Sequence, residues 1–212
     1  MNANDNKNNQ VTVRGTIVGN PEYSHSVGAE KFLRGTIKVN RLSGTSDMLP
    51  FMVSERLAPD WALGDQDEVA FTGQLRSHNV YTSPDEKAKL EVVIFVREIS
   101  HIAISAAAEG NHSENLAEIR GHLCKQPVYR VTPFGREICD MMIAVHRAYG
   151  KSDYIPCIAW GRTARFIASR LKVGDMVKIN GRFQSRTYTK THADGTGETR
   201  TVYEVSIFEL FA

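Results

Sequence analysis

Cysteine is scarce in this sequence, with Cys124, Cys139 and Cys157 the only three among 212 residues. They are odd in number and form no CxxC pair, which argues against both a disulfide framework and a cysteine zinc site; they read as reduced packing residues. Long hydrophobic runs are missing as well. No apolar stretch approaches the roughly 18 to 20 residues needed to span a bilayer, and the N-terminus has asparagine where a signal peptide needs an apolar segment. A cytoplasmic chain with no membrane partner is expected. Catalytic signatures are equally absent: there is no Gly-rich phosphate loop, no HExxH and no nucleophile elbow. The carboxylates Asp140, Asp153, Asp175 and Asp194 fall at strand starts and turns, without the clustering a divalent metal requires. His146 has no carboxylate or nucleophile placed beside it by sequence, and His192 is expected to sit in a mobile hairpin. The expectation is a protein that is no enzyme and has neither cofactor nor metal.

What the sequence does hold is unevenly distributed. Residues 1–112 carry 11 Lys and Arg against 14 Asp and Glu, a balance of −3; residues 113–212 carry 15 against 10, a balance of +5. Ten of the 15 cations in that second stretch are arginine, the side chain best suited to fork onto phosphate and to stack on a base. An acidic first half and an arginine-rich second half point to a polyanion as partner of the second half.

The two halves are copies of one unit. Shifted by 106 positions, Val13–Ala58 aligns without a gap on Ile119–Ala164, and 13 of the 46 positions are identical. The identities include Gly15/Gly121, Pro21/Pro127, Tyr23/Tyr129, Val39/Val145, Arg41/Arg147, Gly44/Gly150, Asp47/Asp153 and Pro50/Pro156. Farther on, Gly73 matches Gly181, and Glu91-Val92 with Ile94-Phe95 matches Glu204-Val205 with Ile207-Phe208. The implied organisation is a disordered asparagine-rich tail (1–10), a first unit (11–104), a small polar linker (105–113) and a second unit (114–212).

In the second unit, period-two alternation predicts strands near 116–124, 136–147, 153–160, 175–188 and 200–210. Ala164, Ile167, Ala168 and Leu171 give a helical period between the third and fourth. Five strands with one short helix after the third is the element order of an OB-fold, a five-stranded Greek-key barrel that commonly binds oligonucleotides. The fold class is therefore all-β with one short helix per repeat, as two tandem barrels.

Parity along the third strand puts Ile155, Cys157 and Ala159 on one face, and Tyr154, Pro156, Ile158 and Trp160 on the other. The first face is apolar enough to fill a barrel, which leaves Tyr154 and Trp160 as platforms for a ligand. On the fourth strand, Val177, Ile179 and Phe183 point inward, while Lys178, Asn180, Arg182, Gln184, Arg186 and Tyr188 form a basic stripe ending in an aromatic. Such interleaving suits a sequence-tolerant single-strand groove, where guanidinium groups track phosphates and rings stack on bases. Tyr149 follows the second strand in a loop beside Arg147 and Lys151. Tyr188 leads through Lys190 into a polar hairpin tip (189–199) able to close over a bound strand.

The run IRGHLCKQPVYRVTPFGREI, MMIAVHR, DYIPCIAWGRTARFIASRLKVGDMVKINGRFQSRTY and YEVSIFEL, from Ile119 to Leu210, closely resembles the bacterial single-stranded DNA-binding proteins. The resemblance implies stacking aromatics at Tyr149, Tyr154, Trp160 and Tyr188, with Arg147, Arg182 and Arg186 along the phosphate path. It also implies sequence-independent binding of single-stranded DNA in replication, recombination and repair, at the nucleoid, by a homodimer offering four barrels. In the first unit, Ser43, Met48 and Ser54 stand opposite Tyr149, Tyr154 and Trp160; only Tyr81 survives near the place of Tyr188, beside Arg76 and His78. Weak binding by the first unit is expected. Family members usually continue into an acidic, aromatic-ended tail, whereas this sequence ends at Phe211-Ala212, so tail-dependent recruitment of repair proteins is not expected. The alternatives are a protein-interaction adaptor of a primosome or conjugation complex, and a binder of single-stranded RNA, since stacking does not read the sugar.

Overall fold

The computed structural model describes residues 8–57, 63–81, 88–101, 114–147, 150–191 and 197–212. Among these, the first unit comprises strands β1 (Asn9–Val27), β2 (Glu30–Asn40), β3 (Ser46–Ser54), β4 (Glu68–Val80) and β5 (Lys89–His101). The second comprises β6 (Asn115–Leu123), β7 (Val128–Val131), β8 (Glu137–His146), β9 (Ser152–Trp160), β10 (Met176–Thr191) and β11 (Gly197–Phe211). Helix α1 (Gly161–Arg170) lies between β9 and β10. The matching place in the first unit holds a 3-10 turn, Glu55–Leu57, followed by residues 58–62, which lie outside the described residues, as does the linker 105–113.

Strand pairing closes each unit on itself. In the first, β1 pairs with β2 and β4, β2 with β3, β3 with β5 in parallel through Phe51↔Ile94, and β5 with β4. The second repeats this ring as β6, β8, β9, β11 and β10, again with one parallel contact, Cys157↔Val205. This is the expected five-stranded barrel. The strand β7, absent from the expectation, is a four-residue edge piece on β8 with every side chain exposed, so no inward period marked it. Its counterpart is the far end of β1, which runs through two register shifts to pair the same positions with β2.

The barrels fill with alternate residues of their strands: Ile17, Ile37, Phe51 and Phe71 in the first, Ile119, Ile143, Ile155 and Phe183 in the second, all inaccessible to solvent. Each such side chain contributes about 1.5–3 kcal/mol by leaving water. Helix α1 closes one mouth with Ala164 and Ile167, while Ala168 of the expected apolar set is exposed. Register also corrects the repeat alignment near its end. Gly73 faces Val96 and Gly181 faces Ile207, each just after a bulge, so Ile94 matches Val205 and Phe95 matches Ser206. The sequence match was two residues off, a slip that preserves parity and is invisible to a period of two.

Glycine is required where the first strand of each barrel bends past the second. A Cβ on Gly15 would fall on the carbonyl oxygen of Lys38, and one on Gly121 on that of Ala144. Gly121→Ala should therefore destabilise the protein by about 1–3 kcal/mol through overpacking, read as a lower urea midpoint at unchanged slope.

The two barrels join by pairing their first strands antiparallel about Val11↔Ala117, with Asn9↔Ile119 and Val13↔Asn115 on either side. Those four flanking residues are repeat equivalents in crossed order, so the contact has an approximate two-fold axis. Asn9 and Asn115 act alike. Asn9 binds the backbone of Leu75 through Nδ2 (2.7 Å) and Oδ1 (2.8 Å), and Asn115 binds that of Phe183 (2.7 and 3.0 Å). The first strand thus begins at Asn9, inside the segment expected to be disordered; residues 1–7 lie outside the described residues.

Candidate nucleic-acid interface

Strand β9 follows its predicted parity. Asp153, Ile155, Cys157 and Ala159 are buried, whereas Tyr154 and Trp160 keep 46% and 40% of their surface exposed. Between them on the outer face, Pro156 is half-buried and Ile158 buried, which makes an apolar floor between the two rings. The Trp160 indole Nε1 donates to Ser206 Oγ on β11 at 3.1 Å, which fixes its orientation. Tyr188, 38% exposed on β10, has the Arg186 guanidinium 5.6 Å from its ring centroid. Three exposed aromatics thus share one barrel with a guanidinium already seated on one of them.

The arginines are placed differently from the expected open path. Arg147 Nε donates to Asp153 Oδ2 at 2.6 Å, and Arg76 Nη1, from the first unit, donates to the same oxygen at 3.1 Å. Arg182 Nε donates to Asp47 Oδ2 at 3.2 Å, where Arg41 also binds. Arg186 holds Glu204 with Nε (3.1 Å) and Nη2 (3.2 Å), and that hydrogen bonding raises the Arg186 pKa despite its partial burial. Asp47 and Asp153 are almost wholly inaccessible, so their charge has to be met by protein groups. They are hubs between the units, and this corrects the reading of Asp153 as a turn residue. Asp153 also accepts the Ser77 amide (2.6 Å) and Asp47 the Ser185 amide (2.9 Å), each from the opposite barrel. Arg147, Arg182 and Arg76 therefore clamp the units together, with side chains only about a quarter exposed.

This clamp decides what lies beside the aromatics. The Tyr154 amide donates to Ser77 Oγ at 2.8 Å, so the β4 arm of the first unit, ending in Tyr81, rises next to Tyr154. Tyr81 is 66% exposed. Lys178 is not brought to the others. It sits eight residues before Arg186 on β10, roughly 26 Å along the strand, between Arg120 and Phe211, with Nζ 5.8 Å from the Phe211 centroid. Tyr149 lies outside the described residues. Lys190 is placed by its backbone opposite Glu198, its side chain lying outside what is described. Among the described residues no group of three His, Cys, Asp or Glu could hold a metal ion.

The profile of the single-strand binding protein family matches residues 115–210. Across its second unit, the chain is similar to the single-strand binding protein family. Similar relatives include single-stranded DNA-binding protein A of Bacillus subtilis, 34% identical over 80 residues, covering 35% of this chain and 46% of that protein. Single-stranded DNA-binding protein 2 of Listeria innocua is 31% identical over 96 residues, covering 42% and 60%. The chain spans about half the length of the relatives it matches. Among solved structures, the wild-type single-stranded DNA binding protein of Thermus aquaticus superposes with a TM-score of 0.70, 21% identity, and coverage of 96% of this chain and 91% of that one. That likeness extends the fold of a single-strand binding protein to both units. No helix of the described residues is long and apolar enough to cross a membrane.

Sequence reasoning missed the two aspartate hubs and Ser206 as the anchor of Trp160. A signal for the hubs was present. Arg41/Arg147 and Asp47/Asp153 are charged pairs retained in both copies at one spacing, whereas a solvated surface charge is free to drift.

Proposed function

We propose that this chain acts as a single-strand binding protein, holding single-stranded DNA without sequence preference and catalysing no reaction, chiefly on the outer face of its second barrel. The observation that carries the proposal is the exposure of Tyr154, Trp160 and Tyr188 outside a barrel whose interior is already filled. Flat rings turned to solvent accept any base, each contributing about 1–3 kcal/mol by stacking. Arg186 offers a guanidinium beside Tyr188, and Tyr81 of the neighbouring arm extends the path. Arg147, Arg182 and Arg76 act in this reading by positioning the units, with their remaining N–H groups at the edge of the groove. The same reading places the protein at the nucleoid in replication, recombination and repair, as a homodimer presenting four barrels.

Titration with oligo-dT tests the proposal. Fluorescence of Trp160 should be quenched on binding, and log affinity should fall against log salt with a slope of about −0.7 per phosphate neutralised. No binding even at low salt would overturn it and favour the adaptor reading, for which the exposed Val128, Val131 and Phe134 of the β7 hairpin offer an apolar contact. Equal affinity for oligo-U would extend the substrate to RNA.

A further inference from the structure

The first barrel has no tryptophan on β3, yet its outer face is not bare. Register places Phe95 where the second barrel has Ser206: Phe95 lies beside Met52 and Gln74, Ser206 beside Ile158 and Arg182. In the second barrel Trp160 leans over Ser206 and binds it. In the first, the counterpart of Trp160 is Ser54, which is buried and donates to Glu30 at 2.5 Å. The aromatic and the serine have exchanged strands. A ring therefore occupies the same region of the face, delivered from β5 instead of β3.

Around that ring the first barrel gathers what a stacking site needs. Phe95 lies 5.8 Å from Phe32, and Phe32 stacks on the exposed His25 at 5.0 Å with an interplanar angle of 9°. The Arg97 guanidinium stands 5.1 Å from the Phe95 centroid and that of Arg76 5.9 Å. Arg76 is held by Asp153, but Arg97 is exposed and has no carboxylate partner among the described residues, touching only Gln74 Oε1 at 3.5 Å. That separates it from Arg147, Arg182 and Arg186, each held by a carboxylate.

We propose that Arg97, Phe95 and the His25–Phe32 stack form a second contact site for single-stranded nucleic acid on the first barrel. A guanidinium lying on a ring keeps an outer plane for a base and a fan of N–H donors for a phosphate. The site rests on the reading that the second barrel binds the strand, because a strand leaving Tyr154 meets the β4 arm of the first unit and is led onto this face. The unit that lost its standard platforms keeps a grip assembled from other strands.

The test uses the full-length protein and an oligo-dT length series, with Arg97→Gln, Phe95→Ala and Trp160→Ala variants. For long oligonucleotides, Arg97→Gln and Phe95→Ala should each weaken binding about 10-fold. For the shortest oligonucleotide that fully quenches Trp160, they should leave affinity unchanged. In a Trp160→Ala background the residual binding should fall further on adding Arg97→Gln. Arg97 is exposed, so its variant keeps the test valid if Phe95→Ala fails to fold. Unchanged affinity of Arg97→Gln at every length, with Trp160 still quenched, would overturn this site alone. Absence of binding by the unmodified protein would overturn both readings.

Discussion

Asp47→Ala should destabilise the whole chain by about 3 kcal/mol, measured by urea unfolding followed by circular dichroism. The carboxylate is inaccessible to solvent and accepts Arg41 Nε at 2.9 Å, Arg182 Nε at 3.2 Å and the Ser185 amide at 2.9 Å. Its removal strands two guanidinium groups and one amide at the junction of the barrels. The guanidinium side chains retain 29% and 22% exposure, so water relieves part of the penalty and the lower end of the range for a broken buried pair applies. Asp47→Asn should retain some of the hydrogen bonding and lose less.

The defect should also depend on pH. Burial by itself would push the Asp47 carboxyl upward, but hydrogen bonds from Arg41 and Ser185 outweigh it and hold the pKa below the ordinary value of 3.8. A carboxyl lowered in the folded state stabilises it fully above that ordinary value and loses the contribution as pH falls through the lowered one. The gap in stability between wild type and Asp47→Ala should therefore be constant near neutrality and shrink below about pH 3.8. A gap that is the same in acid as at neutrality, or a variant as stable as wild type, would remove Asp47 from its role as a hub.

The second large effect concerns affinity. Replacing Tyr154 and Trp160 together with alanine should weaken oligo-dT binding by a factor of about thirty or more, from about 1–3 kcal/mol for each lost stacking platform. Anisotropy of a labelled oligonucleotide is the measurement, since the variant lacks the reporting tryptophan. Two accompanying results distinguish lost stacking from lost structure. The thermal midpoint should change little, because both rings are exposed and lie outside the barrel core. The salt slope should also stay near its original value, because the phosphate contacts remain. A fall of less than threefold, or a collapse of the slope, would show that charge and not stacking carries the binding.

The legible parts of this protein were those governed by local periodicity. Alternation along Asp153–Trp160 separated a packed face from an aromatic one correctly, because a strand sends successive side chains to opposite sides. The basic stripe on β10 was read by the same rule, and parity there held too; the partners of its charges did not follow from parity. Arg182 and Arg147 point outward, yet their destination is a carboxylate brought from another unit or from the start of the next strand. Lys178 shares their parity and lies elsewhere because a long strand crosses from one surface of the barrel to another. Phe95 escaped notice because its significance depends on which residue it replaces, and that equivalence is set by cross-strand register.

By itself, then, the sequence determined the duplication, the all-β unit, the filled interior and the outward aromatics of the second copy, since each is a matter of residue type at fixed spacing along one strand. Tertiary structure alone decided the partners of the charges. Antiparallel pairing of β1 with β6 brings Asp47 against Arg182 and Asp153 against Arg76, distances that no spacing along the chain encodes, and a buried carboxylate takes the nearest guanidinium whatever face that side chain shares along its own strand.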